Sequence, residues 1–245
     1  HIDGGHDGRN WDFTGRGEGL RNTTSLLGRM GTRFGNVHWS GNFDEIQDFE
    51  HDMRGPFGGD GFLTENEFAD VDSPLGAPKA GLDQDLDNLA AYVESLGKDS
   101  LPKSPYRDSN GELTADALMG EVVFQDLGCD VCHADSAYTD GVSHDVGTLR
   151  EYSGSRLGGA LTEIRTPSLL GVFDSAPYLH DGSAPDLESV FATVGGAVYQ
   201  AENFSETQYQ QSRLFNLRKR YGAELVSGAT NTITISGVNG GSGGF

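Results

Sequence analysis

The sequence predicts a mainly α fold: two helical domains with long loops, followed by a partial β-rich segment. Three observations predict it. Two stretches place apolar residues at helical spacing, and each closes on a glycine. "RNTTSLLG" at 21–28 recurs as "IRTPSLLG" at 164–171, and each is followed by a second matching stretch. After about residue 195 the apolar pattern changes to period two.

The first expected domain spans residues 1–97. It is rich in Gly, Asp and Asn and ends in "GLDQDLDNLAAYVESLG". There Leu82, Leu86, Leu89, Ala90, Val93 and Leu96 share one helical face, and Gly97 sits where a C-terminal cap belongs. The polar, Pro-containing "KDSLPKSPYRDSNGE" links it to a second domain, and 98–195 is the expected extent of that domain. A helix is predicted over "TADALMGEVVFQDLG", with Thr114 as N-cap, Leu118, Val122 and Leu127 in the buried stripe and Gly128 as the stop. In the repeat, aligning Gly41 with Gly182 sets Trp39 opposite His180 and Ile46 opposite Leu187. Residues 196–245 hold "AVYQAEN" and "NTITISG", which alternate as strands do between Gly and Asn.

Composition narrows the function. Lys and Arg number 17 against 37 Asp and Glu, a net charge of -20. Such a chain repels nucleic acid and anionic membrane surfaces, and the charge serves solubility or the steering of a basic redox partner. No apolar run approaches the roughly 20 residues that cross a bilayer. The sequence starts at His1 without an initiator Met or signal-like segment and ends in "GVNGGSGGF", so processing or trimming at both ends is expected.

The chain has two cysteines, in "GCDVCHADSAYTDG". Cys129 and Cys132 lie one helical turn apart, and His133 follows at once. C-x-x-C-H is the attachment signature of c-type haem: two thiols add to the porphyrin vinyl groups, and the next residue is presented to the iron. Structural zinc usually wants four protein ligands, and no second cysteine pair exists. A thioredoxin-like site expects a βαβ context. A structural disulfide explains the pair but not His133. Haem c on Cys129, Cys132 and His133 is therefore the expectation. Covalent attachment without a membrane segment implies an exported protein, periplasmic or extracellular.

The order "LMGEVVFQDLGCDVCH" then "RTPSLLGVFDSAPYLHDGSAPDLESVF" resembles the C-terminal haem domain of the di-haem cytochrome c peroxidase and MauG-like family. The first half resembles that family's N-terminal domain, in "RNTTSLLG" and "HWSGNFDEIQ". The resemblance implies two cytochrome c-like domains. It implies a second haem in the first domain, with His1 the histidine of a truncated upstream motif. It puts Trp39 between the two haems and suits Arg165 to a haem propionate. Two departures stand out. No Met follows His133, so the family's usual distal methionine is missing, and Val194 or a neighbour occupies its place. His180, Tyr178 and His144 are the nearby alternatives, with His180 the favoured iron ligand. The family's peroxidatic glutamate is also missing, for "GPFGGDGFL" offers only Asp60.

The tail resembles the start of a carbohydrate-binding module of the β-sandwich type. That implies polysaccharide as a partner and calcium as a second cofactor, with Glu202 a candidate ligand. The leading reading is an exported multidomain c-type cytochrome that transfers electrons to a redox partner protein or other haem domains. The alternatives are a di-haem peroxidase or MauG-like oxidase, and a polysaccharide-binding protein carrying haem domains.

Overall fold

A computed structural model describes residues 4–191 and 193 of the 245. The expectations for the β-rich tail, for Val194 and Glu202, and for His1 lie outside these residues. The chain opens on a hairpin of β1 (Asn10–Phe13) and β2 (Gly19–Asn22), paired antiparallel with Asn10 opposite Asn22. Three helices follow: α1 (Phe49–Arg54), α2 (Glu65–Asp70) and α3 (Gln84–Ser95). The second half holds α4 (Ala115–Asp126) and four two-residue strands. Of these, β3 (Ser143–His144) pairs with β6 (Ile164–Arg165), and β4 (Ser155–Arg156) with β5 (Gly159–Ala160).

Local chemistry places the helices. The Asp83 carboxylate accepts from the amides of Asp85 and Leu86 and starts α3. Thr64 and Glu67 form a capping box on α2. Leu86, Ala90 and Val93 turn inward from α3. Ala90 and Val93 join Val37, Phe43 and Ile46 in one apolar cluster, while Leu86 joins Leu63 and Val71 in another. Each fully buried Leu, Val or Ile contributes about 1.5–3 kcal/mol. Leu82 departs from the predicted stripe and is exposed. Gly97 departs too. It is extended at φ -81°, and α3 ends on Leu96, whose carbonyl accepts the amide of Met30.

The repeat seen in the sequence recurs as backbone geometry. Val37 bridges Phe43, and Tyr178 bridges Ala184, 141 residues on in each case. Inside each bridge a non-glycine residue takes a positive φ, His38 at 65° and Leu179 at 68°. Each turn closes on a left-handed glycine, Gly41 at φ 61° and Gly182 at φ 65°. A Cβ on Gly182 would stand 2.1 Å from the Asn10 side chain, and one on Gly41 would stand 2.8 Å from Arg165 Cδ, so glycine is required at both. Upstream, Asp7 accepts from the Arg9 amide at 3.0 Å and from Trp11 Nε1 at 3.1 Å. Asp140 accepts from the Val142 amide at 2.9 Å, and His144 Nε2 lies 2.6 Å from its other oxygen.

The two copies are laced together. The Asn22 amide donates to the His180 carbonyl at 2.7 Å, and the Arg165 amide to the Trp39 carbonyl at 2.9 Å. Arg156 Nε donates to the Ser40 carbonyl at 2.7 Å. These bonds bring the middle of each repeat to one junction.

Candidate functional site

The cysteine motif grows out of α4. Thr114 accepts from the Ala117 amide at 3.3 Å and starts the helix, and Gly128, left-handed at φ 70°, stops it. A 3-10 turn, Cys129–Val131, follows, and the His133 amide donates to the Cys129 carbonyl at 2.9 Å. The turn sets the two half-buried cysteines on successive corners and presents His133 beside them. His133 Nδ1 lies 3.0 Å from the Tyr138 carbonyl. That contact selects the Nδ1–H tautomer and leaves the Nε2 lone pair for a metal. Burial holds His133 below the ordinary histidine range, so the imidazole is neutral at pH 7.

The surroundings of the motif are apolar and uncovered. α4 has no fully buried residue: Leu118 is 50% exposed while Val122 and Leu127 are half-buried, so protein covers the predicted stripe only in part among the described residues. Met119 on the helix and Val131 within the turn are exposed, as are Tyr106 and Val142. A partly covered apolar helix is a surface that an apolar prosthetic group would cover, and a porphyrin on these two thiols fits that face. Cys132, Asp140 and His144 also converge, their ligand atoms within 4.8 Å of one another. Burial would raise Asp140, but the Val142 amide and hydrogen bonds from His144 and Thr166 carry it below the usual carboxylate range.

A second group of residues meets at the junction. Trp39 Nε1 donates to the Asn22 carbonyl at 2.9 Å, and its ring meets the edge of His180 with centroids 6.5 Å apart. His180 is 0% exposed; its Nε2 lies 2.8 Å from Ser153 Oγ and its Nδ1 has no partner among the described residues. Burial lowers its pKa, opposed by Asp181. Arg165 donates from Nη2 to the Phe34 carbonyl at 3.0 Å, while its buried Nε finds no partner. Arg21 donates to the Ser153 carbonyl at 2.9 Å and leaves Nε and Nη2 unpartnered. Burial lowers both guanidinium pKa values. That of Arg29 falls to about 10, through burial and then through Arg165. Among the described residues, none of these three arginines forms a salt bridge. Buried guanidinium N–H groups without acceptors suit carboxylates such as porphyrin propionates.

A cavity of about 520 Å³ opens in the first half. Trp11, Phe13, Phe43 and Phe57 supply aromatic wall, and Arg21, Arg29, His38, Trp39 and His51 supply polar groups. Trp39 thus joins the cavity to the junction. Asp60 is exposed and does not line the cavity. Glu50, fully buried, accepts from Arg54 and from the amides of Phe62 and Leu63, so it serves to anchor the loop.

The structure brings Trp39, His180 and Arg165 together at the junction and holds Cys129, Cys132 and His133 together at the end of α4. It records no contact between His180 and His133 among the described residues. Sequence reasoning named His144 but missed Arg21, Arg29, His51 and Asp140, the partner of His144. Only Asp140 left a trace, in the "DG" that both repeats carry.

No protein-family model matches the chain. It is similar to hydrazine synthase subunit gamma of Kuenenia stuttgartiensis, 26% identical over 217 residues, 72% of this chain and 57% of the relative. It is also similar to methylamine utilization protein MauG of Methylophilus methylotrophus, 29% identical over 141 residues, 54% of this chain and 42% of the relative. The chain therefore spans about half the length of these relatives. Among solved structures, hydrazine synthase of Kuenenia stuttgartiensis pressurized with xenon matches 76% of this chain and 68% of its own, at 23% identity and TM-score 0.53. In sequence the chain is thus similar, at low identity, to MauG and to hydrazine synthase subunit gamma, and its fold is that of a chain of hydrazine synthase.

Proposed function

We propose that this chain is the haem-bearing part of an exported c-type cytochrome that passes electrons through covalently bound haem. The observation that carries the reading is the C-x-x-C-H turn at the end of α4, with His133 held by Tyr138 and an apolar face left bare beside it. Bound there, haem supplies a one-electron couple. Cys129 and Cys132 would attach it, His133 Nε2 would bind its iron and α4 would lie against its apolar edge. A second haem in the first half would take the 520 Å³ cavity, with Arg21 and Arg29 for its carboxylates. Trp39, which lines that cavity and meets His180, would then stand between the two groups.

His180 is proposed as the second ligand of the haem on Cys129 and Cys132. With Nε2–H donating to Ser153 Oγ, the buried, unpartnered Nδ1 would carry the lone pair. His180→Ala should change the ferric spectrum from low to high spin. An unchanged low-spin spectrum removes His180 from the ligands.

The cavity favours one other reading, an oxidase or peroxidase acting on a small molecule. Its wall carboxylates include Asp7, held by Trp11, and Asp52, paired with His38 at 3.3 Å. A peroxide-dependent optical change in the haem-loaded protein would favour that reading. The partners proposed are a basic redox protein, from the net charge of -20, and polysaccharide, from the tail. Among the described residues no helix is long and apolar enough to cross a membrane.

Haem staining after denaturing electrophoresis tests the main reading. The expected result is a stained band that survives acid-acetone extraction. Loss of all colour on extraction rules out covalent haem.

A further inference from the structure

We propose that His51 supplies an iron-binding imidazole nitrogen to the cavity of the first half. This rests on the reading that the cavity takes a haem, and it deepens that reading by naming a protein ligand that neither the repeat nor any motif marks.

The cavity wall carries two histidines, and their surroundings differ. His38 is engaged at both nitrogens: Nδ1 lies 2.9 Å from Asn42 Oδ1, and Nε2 lies 3.3 Å from Asp52 Oδ2. It is held in place as part of the scaffold. His51 sits on α1, its ring packed near Phe68 and Phe43 with centroids 4.8 and 6.1 Å away. Its Nε2 is buried and has no hydrogen-bond partner among the described residues. A buried nitrogen without a partner costs free energy, so packing alone would favour a carbocyclic ring at this position.

The neighbours do not satisfy this nitrogen. Lys79 is committed to Asp48 at 2.7 Å, and Glu50 to Arg54 and the loop amides. Burial and the charge of Lys79 keep the His51 ring neutral. A neutral imidazole with an aromatic clamp on an apolar wall is a good ligand for iron in a planar apolar macrocycle. The arginines of the same cavity suit the carboxylates of that macrocycle.

The test is a titration of ferric protoporphyrin into the protein with its thioether-bound haem in place. The added optical spectrum is read, and porphyrin per chain is counted as pyridine haemochrome. One added equivalent with a low-spin spectrum is expected. His51→Ala should weaken uptake by more than the ~10-fold that loss of an outer partner costs a metal site, or turn the added spectrum high spin. Free imidazole should restore the low-spin form. No uptake by the wild-type protein overturns the haem reading of the cavity, and the proposal with it. Uptake with an unchanged spectrum in His51→Ala overturns the role of His51 alone. Weaker uptake that imidazole does not rescue assigns His51 to packing and likewise overturns it.

Discussion

Lys79→Ala is expected to lower the free energy of unfolding by roughly 3–5 kcal/mol, because it leaves a buried charge without its counter-ion. Lys79 and Asp48 are each 0% exposed, and their charged atoms lie 2.7 Å apart. Asp48 also accepts from the amides of Asp44 and Glu45, and the Glu45 carboxylate accepts the Lys79 amide. The pair therefore ties the segment before α3 to the turn that begins α1, and α1 carries part of the cavity wall. Removing both charges at once, in Lys79→Met with Asp48→Leu, should recover much of the loss, since two apolar side chains avoid the desolvation cost. Urea unfolding followed by circular dichroism gives the comparison. A single mutant within 1 kcal/mol of the wild type would show that the pair is hydrated in solution.

Replacing both cysteines, Cys129→Ala with Cys132→Ala, is expected to abolish covalent haem altogether. No other thiol exists in the chain. The same variant should unfold at a lower temperature and be cut sooner by protease around α4. A group that binds only the folded state stabilises it by mass action, and the bare face of α4 is the surface that would lose its cover. Calorimetry and limited proteolysis of the two forms check this. Equal melting temperatures with a demonstrated difference in haem content would mean that the porphyrin does not cover that helix.

Much of the site was legible because it is local. The attachment turn occupies five consecutive residues, and the Thr114 cap and Gly128 stop lie within one helix of it. The repeat was legible because a turn that needs a left-handed residue followed by a glycine leaves the same marks twice, in "HWSG" and "YLHDG". The buried stripe of α4 was misread for a physical reason. Apolar periodicity states that a face avoids water but not what covers it, and among the described residues protein covers this one only in part. Gly97 was read as the C-terminal cap, but Leu96, not the glycine, ends α3 by turning into the core.

By itself the sequence determined the thiol spacing that selects haem chemistry, the helix that delivers it, and the duplication of the turn around Trp39 and His180. These depend on contacts within a few residues, where backbone stereochemistry decides. Only the tertiary structure decided that Arg21 and Arg165 each keep a buried donor without a partner among the described residues, that Glu50 anchors a loop, and that His51 is the cavity histidine with an unpartnered nitrogen. Those facts depend on groups tens to more than a hundred residues apart. Whether a buried polar atom finds a partner is settled by the packing of the whole chain, which no local spacing records.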